Sequence, residues 1–195
     1  MLRQLRSSLL AVIVLIVLLG LAYPLAITGL AQVFWPQQAN GSRVELEGRL
    51  VGSLLIGQDF RGNPRYFQSR PSASADDPAV TEASNLGPNS VTLSLEVRSR
   101  LRAFLRREGP YDPGLTAAAV PADAVTASGS GVDPDISTAN AAIQAHRVAA
   151  VLGLSLTEVM RLVAEHTHGP TGGLFGPSSV NVLALNLALE ETHAR

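Results

Sequence analysis

Between Val125 and Ser137 the chain reads VTASGSGVDPDIS, which places Ser128, Gly129, Ser130, Gly131, Asp133 and Asp135 within a few positions of one another. Such a run invites three chemistries: a phosphate cradle, a serine nucleophile or a loop that ligates a hard cation. Each can be tested on spacing. A phosphate-binding P-loop needs a lysine after its last glycine, because lysine reaches the terminal phosphates. There is none here, and all fifteen basic residues of the chain are arginine. A dinucleotide fingerprint needs a third glycine three residues after the second, where Pro134 stands instead. A nucleophile elbow needs glycine two residues before and two after the serine, and neither Ser128 nor Ser130 has both. The twelve-residue calcium-loop spacing is likewise missing around Asp133 and Asp135. The run reads better as structure. Its glycines permit a tight path, Asp133-Pro134 makes a turn, and Ser137 caps a following helix.

The histidines give as little. His166 and His168 flank Thr167 at a helix end, with no acidic cluster beside them in sequence, and histidine there complements the helix dipole. No metal site and no catalytic residue is expected. The chain has no cysteine, so disulfides, thiolate nucleophiles and cysteine-bound metals are excluded. Without lysine there is no Schiff-base or lysine general-base chemistry. A formal net charge of −1 gives no argument for nucleic acid.

The elements that must position these residues begin with an apolar segment. After Arg3 and Arg6 no charged residue occurs until Arg43. Leu9 to Ala31 is nearly all apolar, and as a helix it would run roughly 34 Å, against about 30 Å for a bilayer core. Pro24 falls in its second half, and Phe34 and Trp35 suit an interfacial anchor. A signal peptide cleaved after Ala31 is the rival. In either case the two arginines precede the span, while Arg43, Glu45, Glu47 and Arg49 cancel after it. The remainder is therefore expected outside the cell membrane. This gives a cytoplasmic N-terminus over 1–8, a transmembrane helix over 9–31 and one extracytoplasmic domain over 32–195.

In that domain, Ser69–Ser84 and Gly109–Ala119 read as loops. Gly52–Phe60 reads as a strand, and Tyr66-Phe67 as the start of another extended piece. Ser90–Glu108 reads as an amphipathic helix with Leu93, Val97, Leu101, Phe104 and Leu105 on one face. Arg98, Arg102 and Arg106 run beside that face, as a solvated flank or a contact with an acidic partner or lipid head groups. Ser137–Leu152 is a helix closed by Gly153, and Ser155–Glu158 is a capping box that opens the next. Val180–Leu189 alternates and reads as a strand, with a helix as competitor. The expected fold is one small α+β domain behind a single N-terminal span.

Taken in order, YPLAITGLAQ (Tyr23–Gln32), GSLLIGQDF (Gly52–Phe60), YFQSRPS (Tyr66–Ser72), SNLGPNS (Ser84–Ser90), VPADAVTASGSGVDPDIS (Val120–Ser137), QAHRVA (Gln144–Ala149) and VNVLALNLALE (Val180–Glu190) carry a resemblance. The chain resembles the C subunit of the Kdp-type potassium-transporting P-type ATPase of bacteria and archaea, the KdpC family, over nearly its full length. The resemblance implies a retained N-terminal helix in the cytoplasmic membrane. It also implies a non-catalytic accessory role in a high-affinity, ATP-driven potassium import complex, needed for assembly and stability. The implied partners are a channel-like potassium-binding subunit, the ATPase catalytic subunit and a small single-span subunit, together with membrane lipid. No tightly bound cofactor is implied; ATP acts within the complex and potassium is the transported ion. The family is described as a catalytic chaperone that raises the ATPase subunit's affinity for ATP. The matching nucleotide-contact position is Gln144. Placement outside the membrane conflicts with that contact and favours a cap on the channel-like subunit. Asp76, Asp77, Glu82, Asp133 and Asp135 are then candidates for an acidic potassium funnel. The alternative is an exported or anchored binding or enzymatic domain unrelated to potassium transport.

Overall fold

The computed structural model describes residues 1–46, 48–170 and 172–193. Glu47, counted above among the charges after the span, lies outside the described residues, as do the last two positions of the 32–195 segment. The chain divides into two units, Met1–Val51 and Gly52–Arg195.

The first unit is dominated by α1, Leu2–Phe34, a 33-residue helix with a mean hydropathy of 2.8 in its most apolar stretch. At ~1.5 Å per residue it runs about 50 Å, which exceeds a hydrocarbon core of about 30 Å. It is long and apolar enough to cross a membrane. Pro24 does not break it. A proline removes one helical donor and crowds the carbonyl a turn earlier, and the helix widens into π-turns over Ile16–Ala22, just before it. The Tyr23 N–H accordingly reaches back five residues to the Leu18 carbonyl. Trp35 leaves helical geometry, and its ring lies 5.6 Å from that of Phe34. A short helix α2, Pro36–Ala39, follows. Strands β1, Arg43–Leu46, and β2, Arg49–Ser53, then pair as a two-stranded sheet.

The second unit is α+β. Helix α3, Val91–Glu108, starts where the Ser90 hydroxyl accepts from the Leu93 N–H. Two 3₁₀ turns, Ala117–Ala119 and Ala122–Ala124, lead to β3, Asp135–Ser137. Ser137 caps α4, Thr138–Leu152, which ends at Gly153 in the left-handed region (φ 70°). Ser155 caps α5, Leu156–Glu165. Strands β4, Thr167–His168, and β5, Ser179–Asn181, precede the last helix α6, Val182–His193. The sheet is antiparallel in the order β3-β5-β4, with Ile136 opposite Val180 and Thr167 also opposite Val180. Its buried side chains join Ala141, Ala145 and Val148 of α4, Val159, Leu162 and Val163 of α5, and Val182, Leu185 and Leu189 of α6 in the main core. A smaller cluster sets Val97, Leu101 and Phe104 of α3 against Ala124 and Val125.

Three expectations are corrected. Val180–Leu189 is not a strand: pairing stops at Asn181 and a helix begins at Val182. The reason is a cap. The Asn181 side chain accepts from the Ala184 N–H at 3.0 Å, the geometry that starts a helix, while period-two alternation happens to match in the same residues. Gly52–Phe60 is not a strand either. Strand β2 ends at Ser53, whose carbonyl accepts a turn bond from Ile56. The following chain crosses the 130s loop so closely that a Cβ on Gly57 would stand 2.6 Å from the Asp133 carbonyl oxygen. Tyr66-Phe67 joins no sheet.

The helical reading of α6 predicts unequal costs along its alternating leucines. Leu185 is fully buried and Leu187 only partly. Leu185→Ala is expected to cost about 2–5 kcal/mol in urea unfolding and Leu187→Ala markedly less. Equal costs would favour the strand.

Candidate functional site

Helix α4 presents Asn140, Gln144 and Arg147 on one inward stripe, one turn apart, and all three are buried. Polar side chains are buried only with partners, and here the partners are complete. Asp123 accepts from the Ser137 backbone N–H at 2.9 Å, the Ser137 hydroxyl at 2.8 Å and the Asn140 amide at 2.9 Å. Gln144 is 1% exposed. Its Nε2 donates to Asn140 Oδ1 at 2.9 Å and to the Gln68 carbonyl at 3.1 Å. Its Oε1 accepts from the Gln68 N–H at 2.8 Å and from Arg147 at 3.0 Å. All four hydrogen-bonding positions of the amide are used.

The neighbouring residue is held the same way from the other side. Asn186 of α6 accepts from the Phe67 N–H at 2.8 Å and donates to the Phe67 carbonyl at 3.0 Å. Two side-chain amides thus bind the backbone of Phe67 and Gln68 as neighbouring strands would. Phe67 is driven fully into the main core.

Arg147 completes the stripe. Its Nε donates to both Glu108 oxygens at 3.2 and 3.0 Å, and its terminal nitrogens donate to the Pro64 and Tyr66 carbonyls and to Gln144. Burial pushes the Arg147 pKa down, and the Glu108 carboxylate acts against this. Glu108, wholly buried, also accepts from Arg107 at 2.6 Å.

Above this network lies a cavity of about 220 Å³. Arg61, Arg70, Arg100 and Arg107 line it together with Asp59 and Asp76, and Asn140 and Gln144 contribute to its wall. Part of the wall is strained: Ala75 and Asp76 both have positive φ (58° and 61°), a conformation costing about 1–2 kcal/mol per residue. It is held by Arg61 donating to the Ala75 carbonyl at 3.0 Å and by the Asp76 N–H donating to Ser72 Oγ at 2.9 Å. Desolvation raises the Asp76 pKa, while the hydrogen bond from Arg61 lowers that of Asp59. The lining serines donate to backbone carbonyls, Ser69 to Gln58 and Ser72 to Gly131, and no histidine stands beside them. The cavity is lined mainly by polar and charged residues. Its volume falls below the ~300–1,000 Å³ usual for small-molecule sites.

The loop from Val125 to Ser137 is structural. Ser128 Oγ accepts from the Ser130 and Gly131 N–H groups. Gly131 has φ 78°, and a Cβ there would stand 2.6 Å from the Glu82 carbonyl. Four of the five acidic candidates have separate partners, and Glu82 is exposed. Asp133 pairs with Arg70 at 2.9 Å, Asp135 accepts from Ser179 and Asn181, Asp76 lies 3.6 Å from Arg61, and Asp77 accepts from the Ala79 N–H. Among the described residues no three acidic or histidine side chains come together as a metal site would require. His166 Nδ1 lies 2.9 Å from the Leu162 carbonyl, at the end of α5. Sequence reasoning singled out Gln144 but missed Asn140, Arg147, Glu108 and Asn186. The available signal was a line of polar residues at helical spacing through the apolar face of α4.

Comparison with known proteins agrees with this chain over almost its whole length. A model of the family described as "K+-transporting ATPase, c chain" matches residues 5–191. A protein of Cereibacter sphaeroides (strain KD131) named "Potassium-transporting ATPase KdpC subunit" is 48% identical over 194 residues, covering 100% of both chains. Proteins of the same name from Sorangium cellulosum and Variovorax paradoxus are each 51% identical; 97% of this chain is covered in both cases, with 98% and 96% of theirs.

Removing the Gln144 amide leaves the Gln68 N–H and carbonyl, Asn140 Oδ1 and one Arg147 donor without their partner. Each buried group so abandoned costs about 1–3 kcal/mol. Gln144→Ala is therefore expected to lose several kcal/mol in urea unfolding, with any functional loss accompanied by this instability. Unchanged stability would show the amide to be free for another ligand.

Proposed function

Because the chain belongs to the KdpC family, the c chain of the K+-transporting ATPase, we propose that it is a non-catalytic accessory subunit of an ATP-driven potassium import complex. In this reading α1 is a single membrane span with its N-terminus inside, and the second unit stands outside. There it caps the channel-like potassium-binding subunit and stabilises its assembly with the ATPase catalytic subunit and the small single-span subunit. The observation that carries the reading is the family match from residue 5 to residue 191. The charge pattern supports the orientation: Arg3 and Arg6 precede the span and no charged residue follows until Arg43.

The family's chaperone role, which raises the ATPase subunit's affinity for ATP, fits this reading as an effect of assembly. For Gln144 to hold a nucleotide, its amide would first have to give up one of four buried bonds. A group outside the bilayer also has no access to a nucleotide inside. ATP then acts through the complex, and potassium is cargo.

Two measurements test the reading. Ala118 is exposed and the chain has no cysteine of its own. Ala118→Cys is expected to react with an impermeant maleimide in intact cells. Reaction only after lysis would place the domain inside and overturn the cap reading. Omission of this chain from the purified complex is expected to abolish potassium-stimulated ATP hydrolysis. Full activity without it would sink the accessory role.

A further inference from the structure

Helix α3 carries five arginines, and they fall into two groups. Arg100 pairs with Glu96 at 2.8 Å and Arg107 with Glu108 at 2.6 Å. Arg98, Arg102 and Arg106 are exposed and make no ion pair or hydrogen bond among the described residues. They succeed one another every fourth position, so they form one line along the helix. Val91 and Leu95 extend the same line toward the N-terminus, 74% and 60% exposed. The opposite face is occupied, with Val97, Leu101 and Phe104 packed in the smaller core cluster.

We propose that the outward face of α3, from Val91 to Arg106, docks on an acidic face of another protein subunit of the potassium-transport complex. The assignment rests on the accessory-subunit reading above. Like charges at fourth positions destabilise a helix by about 0.2–0.5 kcal/mol per pair, and among the described residues only the helix dipole, which favours Arg106 in the last turn, acts against this. In a complex that gathers a cation, three unneutralised positive charges would repel the cargo. Carboxylates of a partner, spaced about one helical turn apart, remove that repulsion and give the interface its register.

A protein fits better than a lipid surface. A helix that lies in a membrane interface puts its apolar face into the lipid and its cations on the other. The apolar face of α3 is already spent on the core. Val91 and Leu95 stand in line with the arginines, so the partner must offer an apolar seat bordered by acids. A protein interface has this composition, an apolar centre with a charged rim.

The test is the triple variant Arg98→Glu, Arg102→Glu, Arg106→Glu, co-expressed with the other subunits and purified through the ATPase subunit. All three side chains are exposed, so circular dichroism and thermal unfolding are expected to match the wild type. Retention of the variant is expected to fall at least about tenfold, the equivalent of about 1.4 kcal/mol. Wild-type retention is expected to weaken as salt is raised. A folded variant retained like the wild type overturns the assignment. Unchanged retention with lost binding to phosphatidylglycerol vesicles overturns it in favour of lipid. A wild-type chain that itself fails to co-purify overturns the accessory reading and this assignment with it.

Discussion

The second unit depends on one buried ion pair. Arg147 and Glu108 have almost no contact with solvent, where two charges lose several kcal/mol of hydration apiece unless geometry returns it. Here the return is full. The guanidinium binds the carboxylate, two backbone carbonyls and an amide oxygen, and the carboxylate also accepts from Arg107. The pair joins the end of α3 to the middle of α4, and through the Pro64 and Tyr66 carbonyls it fixes the chain entering Phe67. Glu108 stands at a helix C-terminus, where negative charge opposes the macrodipole. Two guanidinium groups offset that disadvantage, so either arginine position is tied to the presence of the glutamate.

Much of this architecture was legible in the sequence because it rests on local rules. Ser90, Ser137 and Ser155 each cap the helix that follows them. Gly153 ends α4 in the one backbone region that favours glycine. The long apolar helix could be read from composition alone. What could not be read depends on distant partners. Asn181 ends a strand and starts a helix with its side chain, while its amide also donates to the Leu54 carbonyl and Asp135. No periodicity encodes that. The burial of Gln144 was hidden for the same reason: a glutamine is ordinarily a surface residue, and its fourfold satisfaction is visible only once Gln68, Asn140 and Arg147 are assembled around it.

Charge is distributed along the same division. Several acids of the second unit hold its elements together. Asp123 organises the start of α4, Asp135 ties β3 to β5, and Glu108 holds two arginines. Because the chain lacks lysine, every cationic contact is made by a planar group able to bind two or more oxygens at once. This is why Arg61 can hold Asp59 through two nitrogens while reaching the Ala75 carbonyl as well.

The amide clamps on Phe67 and Gln68 also bear on how the molecule is made. Gln144 lies 76 residues beyond Gln68, and Asn186 lies 119 residues beyond Phe67, in the last helix. Loop-closure entropy must be met before such contacts stabilise anything. During synthesis from the N-terminus, the 60s segment therefore lacks its contacts with α4 until that helix is made, and the clamp on Phe67 until α6 follows. If the unit crosses a membrane as it is made, it crosses unfolded and closes only when α6 arrives, as the final stitch rather than an appendage.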